Sequence, residues 1–175
     1  TKLDFRDEVF LWKAPFTNNH TSLVKTQQRF AGIMWGNETT AIVMDQWYDT
    51  RNTKTYLINP SNPSLAPKVI SDRNSQDIYS DPGNFETKKN EYGRQVLAME
   101  GDNAFLIGDG FTKEGQFPFI DEFNTKTLKT KRLYQSAFKN KKEDILSIED
   151  FKKGEVLVQI QSPTEFPNYY FRNIK

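Results

Sequence analysis

The sequence contains no cysteine, so it offers neither a disulfide framework nor thiolate ligands for a metal. It also lacks any apolar run near the roughly 18 residues that a membrane-spanning helix needs. Its strongest apolar runs, such as 41–44 and 155–160, have the length of strands. No long helical periodicity is present. These absences favour a β-rich protein that has no membrane span.

Neither sign of charge is in clear excess. The chain has 24 Lys and Arg against 23 Asp and Glu, a net charge of +1 and an isoelectric point near 7.7. Lys and Arg are mixed with Asp and Glu throughout, so the sequence shows no obvious basic stripe on which a nucleic-acid backbone could dock. We therefore predict no nucleic-acid partner.

Metal and cofactor signatures are missing too. Asp77, Asp81, Asp102 and Asp109 supply the oxygen atoms that calcium prefers, but no run has the spacing of a calcium-binding loop. An Asp before Pro-Gly or Asn is ordinary turn chemistry. We predict neither a metal nor a cofactor.

A pattern of four short strands occurs more than once in the sequence. Val, Ile and aromatic residues form runs of strand length, and Gly, Asn, Asp and Pro separate them. One copy has strands at 30–35, 41–47, 55–58 and 68–70, and another has strands at 96–99, 104–107, 119–123 and 131–134. Such repetition is typical of propeller blades. The fold class predicted is therefore all-β, a partial β-propeller of about three four-stranded antiparallel blades in an arc.

The copies at the two ends are incomplete, with two strands before the first full copy and three after the last. We predict a partial blade at 1–28, a blade at 29–72, a long loop at 73–92, a blade at 93–136 and an incomplete blade at 143–175. The charged stretch 139–144 is interpreted as a solvated connection between blades. The first residues show no initiator Met and no leader, which suggests a chain cut from a longer one or already processed.

In such blades the longer loops emerge on one face, and candidate binding residues lie there. Arg51 and Arg73 would both sit on this face, where guanidinium groups could grip a peptide carboxylate, or could pair with nearby acids. Trp35 and Trp47 are expected in the core rather than in a sugar-stacking platform. A last group is interpreted as shaping its loop or docking another domain: Tyr79, Asp81, Pro82 and Gly83.

The phrase at 31–60, followed by DRNSQDIYSDPG at 72–83, resembles the propeller of glutamyl endopeptidases and related serine peptidases of the prolyl oligopeptidase family. The segment 115–136 resembles the same propeller. The resemblance implies a propeller that caps a hydrolase domain carrying a Ser-His-Asp triad. It also implies partners: a hydrolase domain of the same polypeptide and a peptide substrate. We expect an exported bacterial parent protein.

This chain departs from the family at the catalytic residues. It has no G-x-S-x-G sequence, and its one histidine, His20, lies in a polar turn. No catalytic residue is therefore carried over, and the segment is predicted to gate or orient peptides without hydrolysing them. Two alternatives stay open: a stand-alone protein-binding propeller and a carbohydrate-binding β domain. Unpaired strand edges near Val9 and Tyr169 predict a dimer.

Overall fold

A computed structural model describes residues 4–175, which form two compact units that divide between Asp77 and Ile78. Strands dominate both units, and the described residues contain no α-helix and only one short 3-10 turn, Ile78–Ser80. The all-β prediction is confirmed. Within this part of the chain, no helix has the length and apolar character needed to cross a membrane.

Unit 1 consists of a two-stranded and a four-stranded antiparallel sheet. The four-stranded sheet is a meander, in which each strand pairs with the next along the chain. Its first turn has only two residues, Glu38 and Thr39. The first sheet comprises β1 (Asp7–Leu11) and β2 (Thr21–Thr26), and the second comprises β3 (Arg29–Asn37), β4 (Thr40–Trp47), β5 (Asn52–Ile58) and β6 (Lys68–Asn74).

The core of unit 1 is built around β4. Ala41, Ile42 and Val43 are completely buried, so both faces of this strand are covered, as expected for an interior strand rich in Val and Ile. Burying one such side chain contributes about 1.5–3 kcal/mol. The cluster on one face comprises Leu23, Val24, Ala41, Val43, Tyr56 and Ile58.

The tryptophans of unit 1 differ from expectation. Trp35 is 38% exposed, so its assignment to the core was wrong. It lies near the end of β3, an edge strand, opposite the small Ala41. Trp47 is half-buried, and the Arg6 guanidinium lies 3.8 Å from its ring centroid.

Unit 2 contains a five-stranded sheet, a three-stranded sheet and two small hairpins. Ile120 of the five-stranded sheet packs with Ile145, Val156 and Val158 of the three-stranded sheet to form a shared core. The five-stranded sheet comprises β7 (Asn84–Phe85), β10 (Met99–Glu100), β11 (Asn103–Gly108), β14 (Phe119–Asn124) and β15 (Thr130–Gln135); the three-stranded sheet comprises β16 (Lys142–Asp150), β17 (Glu155–Ser162) and β18 (Glu165–Asn173); the hairpins are β8 (Thr87–Lys89) with β9 (Gln95–Leu97) and β12 (Phe111–Thr112) with β13 (Gly115–Gln116).

The stretch expected to be a loop, 73–92, holds short strands instead. β10 pairs only with Asn103 and Ala104 at the start of β11, and β7 pairs with Leu106 and Ile107 farther along the same edge. Two short strands, β7 and β10, thus pair with the edge of β11 where a single strand at 96–99 was expected. The edge of β11 needs partners for its backbone groups, and a strand as short as β10 satisfies only part of them.

The stretch 139–144 also differs from its interpretation as a solvated connection. β16 begins at Lys142, and Glu143 is 1% exposed. Glu143 and Ile145 share a face of β16 because side chains alternate along a strand. That face packs into the shared core of unit 2, which carries Glu143 inside with Ile145.

Candidate functional site

The two candidate arginines lie at the same end of the four-stranded sheet of unit 1. Arg51 occupies the turn between β4 and β5, and Arg73 stands opposite Thr53 near the end of β6. The Ser75 amide donates a 2.7 Å hydrogen bond to the Arg51 carbonyl, which ties the two backbones together. The structure therefore brings together two residues that are 22 positions apart in the sequence.

The guanidinium group of Arg51 stacks on an exposed aromatic ring. It lies 3.8 Å from the ring centroid of Tyr48, which is 70% exposed. Arg51 also has φ +56°, an uncommon backbone conformation for a residue other than glycine. The tight turn therefore holds its side chain over Tyr48, and stacking leaves guanidinium N–H groups at the ring edge able to meet an anion.

Arg73 is engaged differently. Its Nη1 donates to the carbonyl oxygens of Asn74, at 3.1 Å, and of Asp77, at 2.9 Å. These bonds hold the segment that follows β6 against the end of the sheet. Both of these hydrogen bonds are accepted by backbone carbonyl oxygens, so they help to shape the loop that follows β6.

Polar side chains behind the arginines fix this end of the sheet. The Asn52 amide donates to Asp72 at 2.8 Å, and the Lys54 ammonium lies 3.1 Å from the same carboxylate. The hydrogen bond from Asn52, reinforced by that from Lys54, lowers the pKa of Asp72 below its usual value, although partial burial opposes this shift. Asp72 therefore stays ionised, and its charge is held by Lys54 rather than by an arginine.

Unit 1 also contains a buried acid, in β4. Asp45 is fully buried, and its Oδ2 accepts hydrogen bonds from the Tyr56 hydroxyl, at 2.8 Å, and from the Gln28 amide, at 2.9 Å. Burial, followed by the hydrogen bond to Asp45, raises the pKa of Tyr56. This pair joins β4, β5 and the segment before β3, and it supports the turn that carries Arg51.

The group Tyr79 to Gly83 lies in unit 2, with Tyr79 inside the 3-10 turn and Asp81, Pro82 and Gly83 directly after it. The Gly83 amide donates to Asp81 Oδ1 at 2.9 Å, and Gly83 follows Pro82 with φ +87°. A Cβ at Gly83 would stand only 2.5 Å from the Ile107 carbonyl oxygen. Asp81, Pro82 and Gly83 thus shape a turn that presses the backbone onto β11, while Tyr79 is 64% exposed.

This turn borders a small acidic cavity of about 240 Å³. Burial raises the pKa of Glu86 above its usual value. The residues that line the cavity are Asp81, Gly83, Asn84, Glu86, Ile107, Gly108, Asp109, Ile145 and Leu146. Across residues 4–175, no three His, Cys, Asp or Glu side chains gather closely enough to hold a metal ion.

A larger groove of about 620 Å³ lies in unit 2, lined by β10, β11, β14, β15 and the turn between β16 and β17. Arg132 in its wall is held by Asp121 through two hydrogen bonds, of 2.5 and 3.3 Å, and stacks 3.9 Å from the Phe119 ring centroid. Both apolar and charged side chains line the groove: Phe105, Ile120, Leu133, Ile148 and Ile174 with Glu100, Glu122, Lys131, Arg132, Lys152 and Lys175.

The one histidine of the sequence lies in unit 1, outside the turn that carries Arg51. His20 sits in the connection between β1 and β2, and its ring meets the Phe10 ring edge-on at 4.5 Å. Phe10 is exposed, so the pair forms part of the surface.

Comparisons with known proteins bear on what this architecture belongs to. The probable glutamyl endopeptidase, chloroplastic, of Oryza sativa subsp. japonica is 32% identical over 182 residues, which covers 95% of this chain and 19% of that protein. The protein of the same name from Arabidopsis thaliana is 32% identical over 180 residues, covering 94% of this chain and 19% of its own length. The chain is related to peptidases.

That relation supports the resemblance seen in the sequence at the level of peptidases. The chain spans about a fifth of the length of the curated relatives it matches. No family model matches the chain, and no solved structure matches it significantly.

Sequence reasoning missed one buried site, in which Glu143 lies between two sheets of unit 2. Glu143 Oε2 accepts a 2.7 Å hydrogen bond from the Tyr134 hydroxyl of β15, and Oε1 lies 3.0 Å from Arg172 Nη2 of β18. Burial, followed by the hydrogen bond to Glu143, raises the pKa of Tyr134 to about 12. The alternation of Glu143 with Ile145 is the signal that could have revealed it.

Proposed function

We propose that this chain is a partial propeller of a peptidase of the prolyl oligopeptidase type, built from about three four-stranded antiparallel blades in an arc. The observation that carries the proposal is the 32% identity over 95% of the chain with a protein named as a glutamyl endopeptidase, of which it spans only 19%. A segment of this size without a G-x-S-x-G sequence supplies no nucleophile. It acts beside a hydrolase domain of the same polypeptide.

The sheet order supports the assignment to blades. In unit 1, β3 to β6 form a four-stranded meander with each strand next to its neighbour in sequence. In unit 2, β10, β11, β14 and β15 repeat this order, with β7 completing the edge of β11. A two-stranded sheet precedes these meanders and a three-stranded sheet follows them, which is the order of strands in an arc whose end blades are incomplete.

The role of the segment is to gate or orient peptides. Arg51 carries the proposal because its turn holds the guanidinium over Tyr48 at the end of the sheet where β6 also ends. A carboxylate of a peptide can meet the edge of such a stacked guanidinium in bidentate fashion. A peptide so bound is oriented by a fixed cation, which lowers the entropy cost of delivering it to a neighbouring catalytic group.

Binding of a labelled glutamate-containing peptide, measured by fluorescence anisotropy at low salt, tests this role. Arg51→Gln is expected to weaken binding about tenfold, because a hydrogen bond to a charged group contributes about 1.5–3 kcal/mol. Arg94→Gln, which makes the same change at an exposed arginine of unit 2, is the control. A second control uses a peptide with glutamine in place of glutamate. Wild type and Arg51→Gln should bind this peptide with equal affinity.

Equal affinity of wild type and Arg51→Gln for the glutamate peptide would show that Arg51 does not bind the peptide carboxylate. A separate assay measures peptide hydrolysis by the purified chain, for which no turnover is expected. Turnover that survives treatment with a serine-directed reagent would contradict the assignment of a non-catalytic segment.

A further inference from the structure

The aromatic ring that Arg51 contacts has two faces, and only one of them is covered. The guanidinium carbon of Arg51 lies 3.8 Å from the centroid of the Tyr48 ring, so it occupies one face. Tyr48 is nevertheless 70% exposed. A tyrosine ring covered on both faces could not keep that exposure. The second face of the ring is therefore open to solvent and offers a stacking surface to another aromatic group.

The turn that carries this pair is fixed by hydrogen bonds. The Arg51 amide donates to the Tyr48 carbonyl at 3.3 Å, and the Ser75 amide donates to the Arg51 carbonyl at 2.7 Å. Asn74 Nδ2 donates to the Thr50 carbonyl at 3.4 Å. The turn therefore holds the ring and the guanidinium together before any ligand arrives, and a preorganised pair of this kind lowers the entropy cost of binding.

The charge of Arg51 is available to a ligand. No carboxylate within residues 4–175 forms an ion pair with Arg51, whereas Arg29, Arg132 and Arg172 each have an acidic partner. A guanidinium that contacts a ring through its face keeps N–H groups for a carboxylate at its edge. A free cation and an open aromatic face thus lie on opposite sides of the Tyr48 ring.

The distance between these two sites selects the spacing of the groups that can occupy them. A side chain stacked on the open face would lie about 3.5–4.0 Å from the ring, and the guanidinium lies 3.8 Å from the centroid on the other side. The two sites are therefore about 7–8 Å apart. In an extended peptide, side chains two residues apart lie on the same side and about 6.4–6.8 Å from each other, whereas neighbouring side chains point to opposite sides. A separation of two residues therefore fits the pair.

We propose that Tyr48 and Arg51 together bind extended peptides in which an acidic and an aromatic residue are separated by one residue. The carboxylate meets the Arg51 guanidinium, and the aromatic ring stacks on the open face of Tyr48. This inference rests on the proposed function, because it concerns the same peptide site, and it adds the class of peptide that the site prefers.

Fluorescence anisotropy with three labelled pentapeptides tests the proposal. Each has a central glutamate; the first has alanine elsewhere, the second has phenylalanine at both ends, and the third has phenylalanine on both sides of the glutamate. Wild type is expected to bind the second peptide about three- to tenfold more tightly than the first, which is the gain from one aromatic pair. The third should gain less than about twofold, because its rings point away from the carboxylate. No gain, or equal gains for the second and third peptides, would overturn the proposal.

Variants of Tyr48 assign the preference to its ring. Tyr48→Leu removes the aromatic face, so its affinities for the first and second peptides should become equal. Tyr48→Phe keeps the ring and should keep the preference. Tyr92→Leu makes the leucine change at a 79% exposed tyrosine of unit 2 and should also keep the preference. A Tyr48→Leu variant that prefers the second peptide as strongly as Tyr92→Leu does contradicts the proposal.

The arginine variant separates this inference from the proposed function. Arg51→Gln should weaken binding of the first and second peptides by the same factor and leave the ratio of the two affinities unchanged. If Arg51→Gln binds both peptides as tightly as wild type, the proposed role of Arg51 is wrong. If Arg51→Gln weakens both while wild type shows no preference for the second peptide, the inference about Tyr48 is wrong and the role of Arg51 stands.

Discussion

Replacing Glu143 by glutamine is expected to destabilise unit 2 more than any comparable change of a surface acid. The Glu143 side chain is fully buried, and Arg172 beside it is 32% exposed. Glutamine keeps the size and can still accept the Tyr134 hydroxyl, so the loss is mainly that of the carboxylate charge facing Arg172.

Breaking a buried ion pair by removing one partner costs about 3–5 kcal/mol, and the partial exposure of Arg172 places this case near the lower end, at about 3 kcal/mol. For a protein of this size, about 1 kcal/mol shifts the melting temperature by roughly 2–4 °C, so a decrease of about 6–12 °C is expected. Urea unfolding followed by far-ultraviolet circular dichroism measures the change in the free energy of unfolding. Hydrogen exchange of β16 to β18 assigns that change to unit 2.

Glu165→Gln is the matched control. Glu165 forms a 2.7 Å ion pair with Lys141, but its side chain is 50% exposed, so a change within about 0.5 kcal/mol is expected. The double variant Glu143→Leu with Arg172→Met removes both charges and should recover much of the stability lost in Glu143→Gln. Equal stability of the Glu143→Gln and Glu165→Gln variants would mean that the buried charge of Glu143 contributes no more to folding than an exposed one.

Two further predictions concern a glycine and a tyrosine of unit 2. Gly83→Ala should destabilise the chain by more than the roughly 1–2 kcal/mol of left-handed backbone strain, because its Cβ would approach the Ile107 carbonyl oxygen to 2.5 Å. Gly93 has φ +71° and nothing within 4 Å of an added Cβ, so Gly93→Ala should lose only the free energy of that backbone strain. Similar urea midpoints for the two variants would contradict the close approach. The pKa of Tyr134 is raised in the folded state, so its contribution to stability is complete below the unfolded pKa near 10 and is lost as the pH rises through about 12. Tyr134→Phe should remove this alkaline dependence, and unfolding midpoints that fall equally with pH in both proteins would contradict it.

The strands were the predictable part of this fold. Alternating Val, Ile and aromatic residues between Gly, Asn and Asp turns place β4, β11, β14 and β17 close to where the structure has them. These are interior strands, whose burial enforces the pattern. The short strands β7 and β10 escaped detection because two or three residues carry no periodicity and their pairing depends on the unfilled edge of β11.

The candidate site was predictable in position but not in chemistry. The turn residues around Arg51 and the end of β6 could be assigned to one face from antiparallel geometry alone. Stacking of Arg51 on Tyr48, and the use of Arg73 on backbone carbonyls, depend on local backbone angles that the sequence does not reveal. Trp35 was misplaced because its exposure depends on its position on an edge strand rather than on its residue type.

An experimental structure of a longer polypeptide that includes this segment would decide whether its sheets are propeller blades. We expect the sheet β3 to β6 and the sheet β10 to β15 to be neighbouring blades around one axis, with a hydrolase domain in the same chain. Two sheets packed face to face as a sandwich, or a polypeptide without a hydrolase domain, would contradict it.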